Sequence, residues 1–231
     1  MNFDQITLSN GLKVIGERIP HFRSVSVGLW LGSGSQFEVP TEAGLSHFLE
    51  HMVFKGTKKR SARKIAEEMD AVGGQLNAFT AKECTCFYAK VVDEHLPLAM
   101  DVLADLVTAP TFDSAEMEKE KGVVLEEISM SMDEPEDLVH ELLMLANYGD
   151  QPVARPILGN SERVSSYARE DLVSYWSRMY RPQNAVLALA GNYDWDRVLS
   201  MAEELLGGWE ADGFSKRGCV THAVAPTVLT R

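Results

Sequence analysis

At 231 residues the chain can bury one sizeable core, and its 45% hydrophobic and 24% charged residues are ordinary for a globular protein. A formal net charge of -12 without any basic stripe argues against nucleic acid as a partner, and no apolar run reaches the ~20 residues of a membrane-spanning helix. Three cysteines make no disulfide framework, and Met1-Asn2-Phe3-Asp4-Gln5 lacks both the basic start of a signal peptide and the Arg-rich bias of a transit peptide, so the expectation is a cytoplasmic protein.

In chain order, Phe3 to Leu8 and Leu12 to Arg18 read as strands joined at Asn10-Gly11, a strong hairpin signal. Val25 to Leu31 is a third strand, followed by Gly32-Ser33-Gly34-Ser35, whose composition suggests a mobile loop. A helix follows, with Thr41 in Pro40-Thr41-Glu42 as its cap, Leu45, Phe48, Leu49, Met52 and Val53 as its apolar stripe, and Gly56 as its stop.

That helix carries His47, Glu50 and His51, which spell H-x-x-E-H, a signature of zinc hydrolases named inverzincin for its reversed order. Positions i and i+4 stand about 40° apart around a helix, so the two imidazoles share a face and can bind one metal ion. Glu50 need not be a ligand; it can accept a proton from water that the metal has acidified. Such a catalytic site also needs a third protein ligand. No Cys-x-x-Cys or further local histidine stands ready to close a four-ligand structural site.

Beyond it, Ser61 caps a helix that buries Ile65, Met69 and Val72, and strands run over Gln75 to Ala81 and Thr85 to Val92. Cys84 and Cys86, two apart in the second of these, read as buried free thiols, whereas Cys219 is expected nearer the surface. Helices are expected from about Leu96 to Thr108, Ser114 to Met132 and, opened by Pro135, Glu136 to Ala146. Ser161 and Arg169-Glu170-Asp171 start two more, Asn184 to Ala190 is a strand, and Asp194 to Leu206 a last helix. The stretch from Met117 to Ile128 is where a third ligand is sought. Glu120 and Glu127 lie nearly two turns apart and face the same way, although Lys119, Lys121 and Glu126 make the same stretch look like an ordinary solvated helix face. The order of elements suits an α+β domain of two layers, a mostly antiparallel sheet with helices packed on one side.

The run from Leu45 to Thr57, Gly73-Gly74-Gln75-Leu76-Asn77-Ala78-Phe79-Thr80, and Ile157-Leu158-Gly159 through Tyr180-Arg181-Pro182 resembles the pitrilysin and insulysin family, most closely its processing-peptidase branch. The resemblance implies that Glu127 is the third zinc ligand beside His47 and His51, and that Glu120 is a further glutamate required for catalysis, by contact or by orienting a histidine. It also implies that Asn77, Ala78 and Phe79 on an edge strand bind extended substrate by strand addition, with Phe79 as a pocket wall. The expectation is a zinc metalloendopeptidase acting on peptides or extended protein segments, with Glu50 and Glu120 as its catalytic residues. The alternative is a noncatalytic peptide-binding or scaffolding paralogue, against which the intact H-x-x-E-H counts.

Members of that family usually carry a second related domain, and here the chain stops at Arg231. The expectation is a catalytic domain over residues 1–215 and the start of an interdomain linker over 216–231, either from a truncated chain or from a half-sized subunit. Its partners would be a peptide substrate and a homologous C-terminal domain or partner subunit, with a dimer for the full-length protein. The acidic balance makes basic peptides the natural substrates if the acid lines the cleft.

Overall fold

The computed structural model describes residues 3–211. The expected linker and Cys219 therefore lie outside the described residues. Six strands form one sheet: β1 (Phe3–Thr7), β2 (Lys13–Arg18), β3 (Ser24–Leu31), β4 (Gln75–Thr80), β5 (Thr85–Val92) and β6 (Ala185–Gly191), in the spatial order β1-β2-β6-β3-β5-β4. The β2–β6 pair is parallel and the other four pairs are antiparallel. The first hairpin turns at Gly11, whose φ of 93° suits glycine, and the Asn10 side-chain amide donates to Leu206 O at 2.7 Å.

Alternation along the central strands divides the sheet into two faces. Val25, Val27, Leu29 and Leu31 of β3 join Phe87, Ala89 and Val91 of β5 and Leu187 and Leu189 of β6 on the buried face. Trp30, Tyr88, Phe79 and Val92 point to the open one. Helices α1 (Leu45–Val53), α2 (Ala62–Asp70), α3 (Leu96–Thr108), α4 (Ser114–Asp133), α5 (Pro135–Tyr148), α6 (Ser161–Ser166), α7 (Arg169–Met179) and α8 (Trp195–Leu206) complete the second layer. This is the expected α+β arrangement. Phe48, Leu49 and Met52 of α1 are fully buried with Leu103 and Leu106 of α3, and burial of each such side chain stabilises by roughly 1.5–3 kcal/mol.

Three local expectations need correction. Val72, expected on the buried face of the helix after Ser61, lies past the end of α2 at Asp70 and is half-buried. Pro40–Glu42 forms a separate single 3-10 turn, and α1 begins at Leu45 after Gly44 with φ 97°, so Thr41 does not cap it. The cap comes from farther back. The buried carboxylate of Glu38 accepts from Gly44 N at 2.8 Å and Ser46 N at 2.7 Å, satisfying two of the helix's free donors. The Gly32–Ser35 segment is packed in place, with Ser33 and Ser35 buried and Ser33 O accepting from Thr85 Oγ1 at 2.8 Å. A Cβ on Gly34 would lie 2.5 Å from the carbonyls of Ala81 and Lys82, so glycine serves close backbone approach here rather than motion.

Candidate metal centre and cleft

The buried stripe of α1 turns the opposite face of that helix, with His47, Glu50 and His51, towards α4. His47 Nε2 and His51 Nε2 lie 3.2 Å apart, and Glu127 Oε2 stands 3.6 Å from the first and 3.5 Å from the second. Bonds of ~2.0–2.1 Å at tetrahedral angles put ligand atoms ~3.3–3.4 Å apart, so this triangle matches the spacing of three ligands around one zinc-sized ion. Glu127 Oε2 and His47 Nδ1 are buried without a hydrogen-bond partner, which leaves an acceptor aimed into the triangle and unused. Burial, then the neighbouring His51, holds His47 down at about 4, so its imidazole is neutral and its lone pair available. The residues present fit a metal ion.

Glu50 stands one position before His51 and outside the triangle. Its Oε2 accepts from Thr80 Oγ1 at 2.5 Å, and burial raises its pKa while the Thr80 hydrogen bond and the nearby His51 oppose the rise. Thr80 belongs to edge strand β4, so the sheet's last strand runs directly past the carboxylate. Glu120 lies one layer further out: its Oε1 meets His51 Nδ1 at 2.9 Å and its Oε2 meets Lys55 Nζ at 2.6 Å. It is not a member of the triangle.

A cavity of about 790 Å³ is lined by His47, Glu50, Ala78, Phe79, Thr80 and Glu127, and also by Lys82, Glu134, Asp137, His140 and Glu141. Ala78 is thus brought to the cleft, and Phe79 borders it while its ring packs on the open face of the sheet, 5.6 Å from that of Trp30. Asn77 is not; its side chain is exposed and its Oδ1 accepts from Ala78 N at 2.8 Å. Cys86 is buried and Cys84 half-buried, both free, and burial pushes the Cys86 thiol up to about 12. Sequence reasoning missed Thr80 and the acidic wall of α5 as site residues. Thr80 carried a signal, the phase of an alternating strand; Asp137 and Glu141 carried none.

The fold is an α+β domain that brings together two histidines and one glutamate able to hold a metal ion. Residues 13–161 match the family described as Insulinase (Peptidase family M16), and residues 166–229 match the Peptidase M16 inactive domain. The chain belongs to this peptidase family. It is 49% identical over 207 residues to the uncharacterized zinc protease YmxG of Bacillus subtilis, covering 90% of this chain and 50% of that protein. It is 48% identical over 201 residues to the uncharacterized zinc protease ML0855 of Mycobacterium leprae, covering 87% of this chain and 45% of that one. The chain therefore spans about half the length of the curated relatives it matches. A protease from Helicobacter pylori shares the fold with a TM-score of 0.91 at 22% identity, over 96% of this chain and 54% of that one. The first half of the periplasmic protease PqqL from Escherichia coli does so at 0.86 and 24%, over 96% and 49%.

Proposed function

We propose that this chain is the catalytic part of a zinc metalloendopeptidase in which His47, His51 and Glu127 hold the metal. The observation that carries the reading is the 3.2–3.6 Å triangle of donor atoms with a carboxylate, Glu50, beside it. Zinc in such a site supplies Lewis acidity, polarising a scissile carbonyl and making water a competent nucleophile near neutral pH. Thr80 occupies Oε2 of Glu50 and leaves Oε1 as the proton acceptor. Glu50 takes the proton from attacking water there and delivers it to the departing amine. Glu120 serves as the glutamate that orients His51 through Nδ1.

Substrate adds as a strand to the free edge of β4, which ends the sheet beside Glu50, so backbone recognition places a peptide bond at the metal. Phe79 and Ala78 line that approach and Asn77 contributes from its flank. Across the cavity, Glu134, Asp137 and Glu141 favour basic residues. The proposal includes a second, C-terminal half that completes the cleft, a dimer of full-length chains, and action in the cytoplasm, which sizing and cell fractionation test. It keeps residues 1–215 as the catalytic domain and 216–231 as linker.

The decisive variant is Glu50→Gln in the full-length protein. It should keep one zinc per chain and lose peptide hydrolysis by about 100- to 10,000-fold, because the amide accepts no proton. Zinc retained with undiminished turnover removes Glu50 from the role. A parent protein that binds zinc and basic peptides without cleaving them makes the chain a scaffolding paralogue instead.

A further inference from the structure

Behind the metal site a second set of charges is built into the same two helices, and nothing in the reaction described above uses its outermost member. Glu120 is only 5% exposed, and a bare carboxylate at that depth is strongly disfavoured unless it is paired. It is compensated on both oxygens. Oε1 faces His51 Nδ1 at 2.9 Å and Oε2 faces Lys55 Nζ at 2.6 Å, so two groups from the α1 end clasp one carboxylate of α4. Lys55 is four residues after His51, just beyond the end of α1, where Lys55 N donates to Met52 O at 3.1 Å and holds the chain in one further turn. That turn places the ammonium on the same side as the imidazole.

The division of the two oxygens decides which nitrogen of His51 carries a proton. An acceptor-only carboxylate at Nδ1 requires an N–H there, which leaves the lone pair on Nε2, the atom that faces His47 and Glu127. With Lys55 removed, Glu120 would keep one donor for two oxygens and could turn about its last torsion away from the ring. We propose that Lys55 is a positioning residue of the metal site: by pinning Oε2 of Glu120 it directs Oε1 to Nδ1 and so holds His51 in the tautomer that binds metal. The inference rests on the zinc reading for its purpose, and its geometry stands without it.

The test uses Lys55→Met, which keeps the apolar stem, with Lys55→Arg and Glu120→Gln beside it, all in the full-length protein. Zinc affinity is read by competition with a chromophoric chelator, and the His51 tautomer by ¹⁵N shifts of the metal-free protein. Lys55→Met should weaken zinc by about 10- to 100-fold and turn a single Nδ1–H tautomer into a mixture. Lys55→Arg should restore both, and Lys55→Met added to Glu120→Gln should bring little further loss. A tautomer unchanged in Lys55→Met, with zinc affinity within twofold of the parent, would overturn the proposal and leave the clasp a purely structural ion pair. If the parent itself binds no zinc, the proposed function fails, and the tautomer measurement alone decides the role of Lys55. A variant too unstable to measure is replaced by Lys55→Gln, judged by the same two readouts.

Discussion

Helices α1 and α5 line the same cavity and are held in opposite ways. Six of the nine residues of α1 are buried, among them Phe48, Leu49 and Met52, and a buried carboxylate secures its N-terminus. None of the fourteen residues of α5 is buried, while Val139 and Leu143 are 58% and 56% exposed. The contrast separates two tasks. The two histidines of the proposed metal site stand on the helix the core has fixed, and the acidic groups proposed to meet substrate stand on the helix it has not. Local opening should follow the same division, because low burial means a low free energy of opening.

The sharpest way to break this comparison is to empty the core beneath the metal helix. Phe48→Ala removes a fully buried ring next to His47 and should cost about 3–5 kcal/mol of unfolding free energy. Chemical denaturation of the metal-free protein measures it. A loss under about 1 kcal/mol would mean that α1 is not the rigid wall.

The buried cap of α1 gives a pH test of nearly the same size. Burial lifts the Glu38 carboxyl to about 7 from its ordinary 4.5, against the hydrogen bonds from Ser46 and Gly44. Between those two values the folded state keeps a proton that the unfolded state has released, so stability declines with rising pH there. The contribution is full below pH 4.5 and lost as pH passes 7. It amounts to something on the order of 3 kcal/mol. Glu38→Gln should therefore flatten the fall in unfolding free energy between pH 4.5 and 7. An unchanged slope would show that other groups produce it.

Much of the rigid wall was legible in the sequence and little of the other. His47, Glu50 and His51 are fixed relative to one another by helical period alone, so their shared face followed from spacing. Glu127 needed the family resemblance, because nothing local says which glutamate of a charged helix turns inward. Glu38 escaped because its carboxylate folds back over six and eight residues to reach its donors, beyond any local capping pattern. The parallel pairing of β2 with β6 joins residues some 170 apart in the chain, a choice made by tertiary packing rather than by either strand's composition. Lys55 sits at a legible i+4 spacing from His51, yet a lysine at a helix end looks like any solvated one until Glu120 is seen beneath it.

The acidic side of the cavity should act through charge, and modestly. Asp137→Asn and Glu141→Gln should each raise KM for a peptide with basic residues by a few-fold, in line with the ~0.2–1 kcal/mol of partly exposed ion pairs. The effect should shrink as salt is raised towards 1 M, where the Debye length is about 3 Å, and kcat should stay near the parent value. Salt-independent losses would point to a steric role for these side chains.

The smallest expected effect is also the most discriminating for the comparison itself. Val139→Ser and Leu143→Ser replace apolar side chains that are more than half exposed in the structure, so each should change unfolding free energy by no more than about 0.5 kcal/mol. In the same protein, amides of α5 should exchange with solvent well before those of α1, because opening α5 uncovers little apolar surface. The two measurements sharpen each other. Near-neutral substitutions with fast exchange confirm a loosely held recognition wall. A cost above 1 kcal/mol at Leu143, or exchange in α5 as slow as in α1, would mean that α5 is held as firmly as α1, and both walls of the cleft would then be equally fixed.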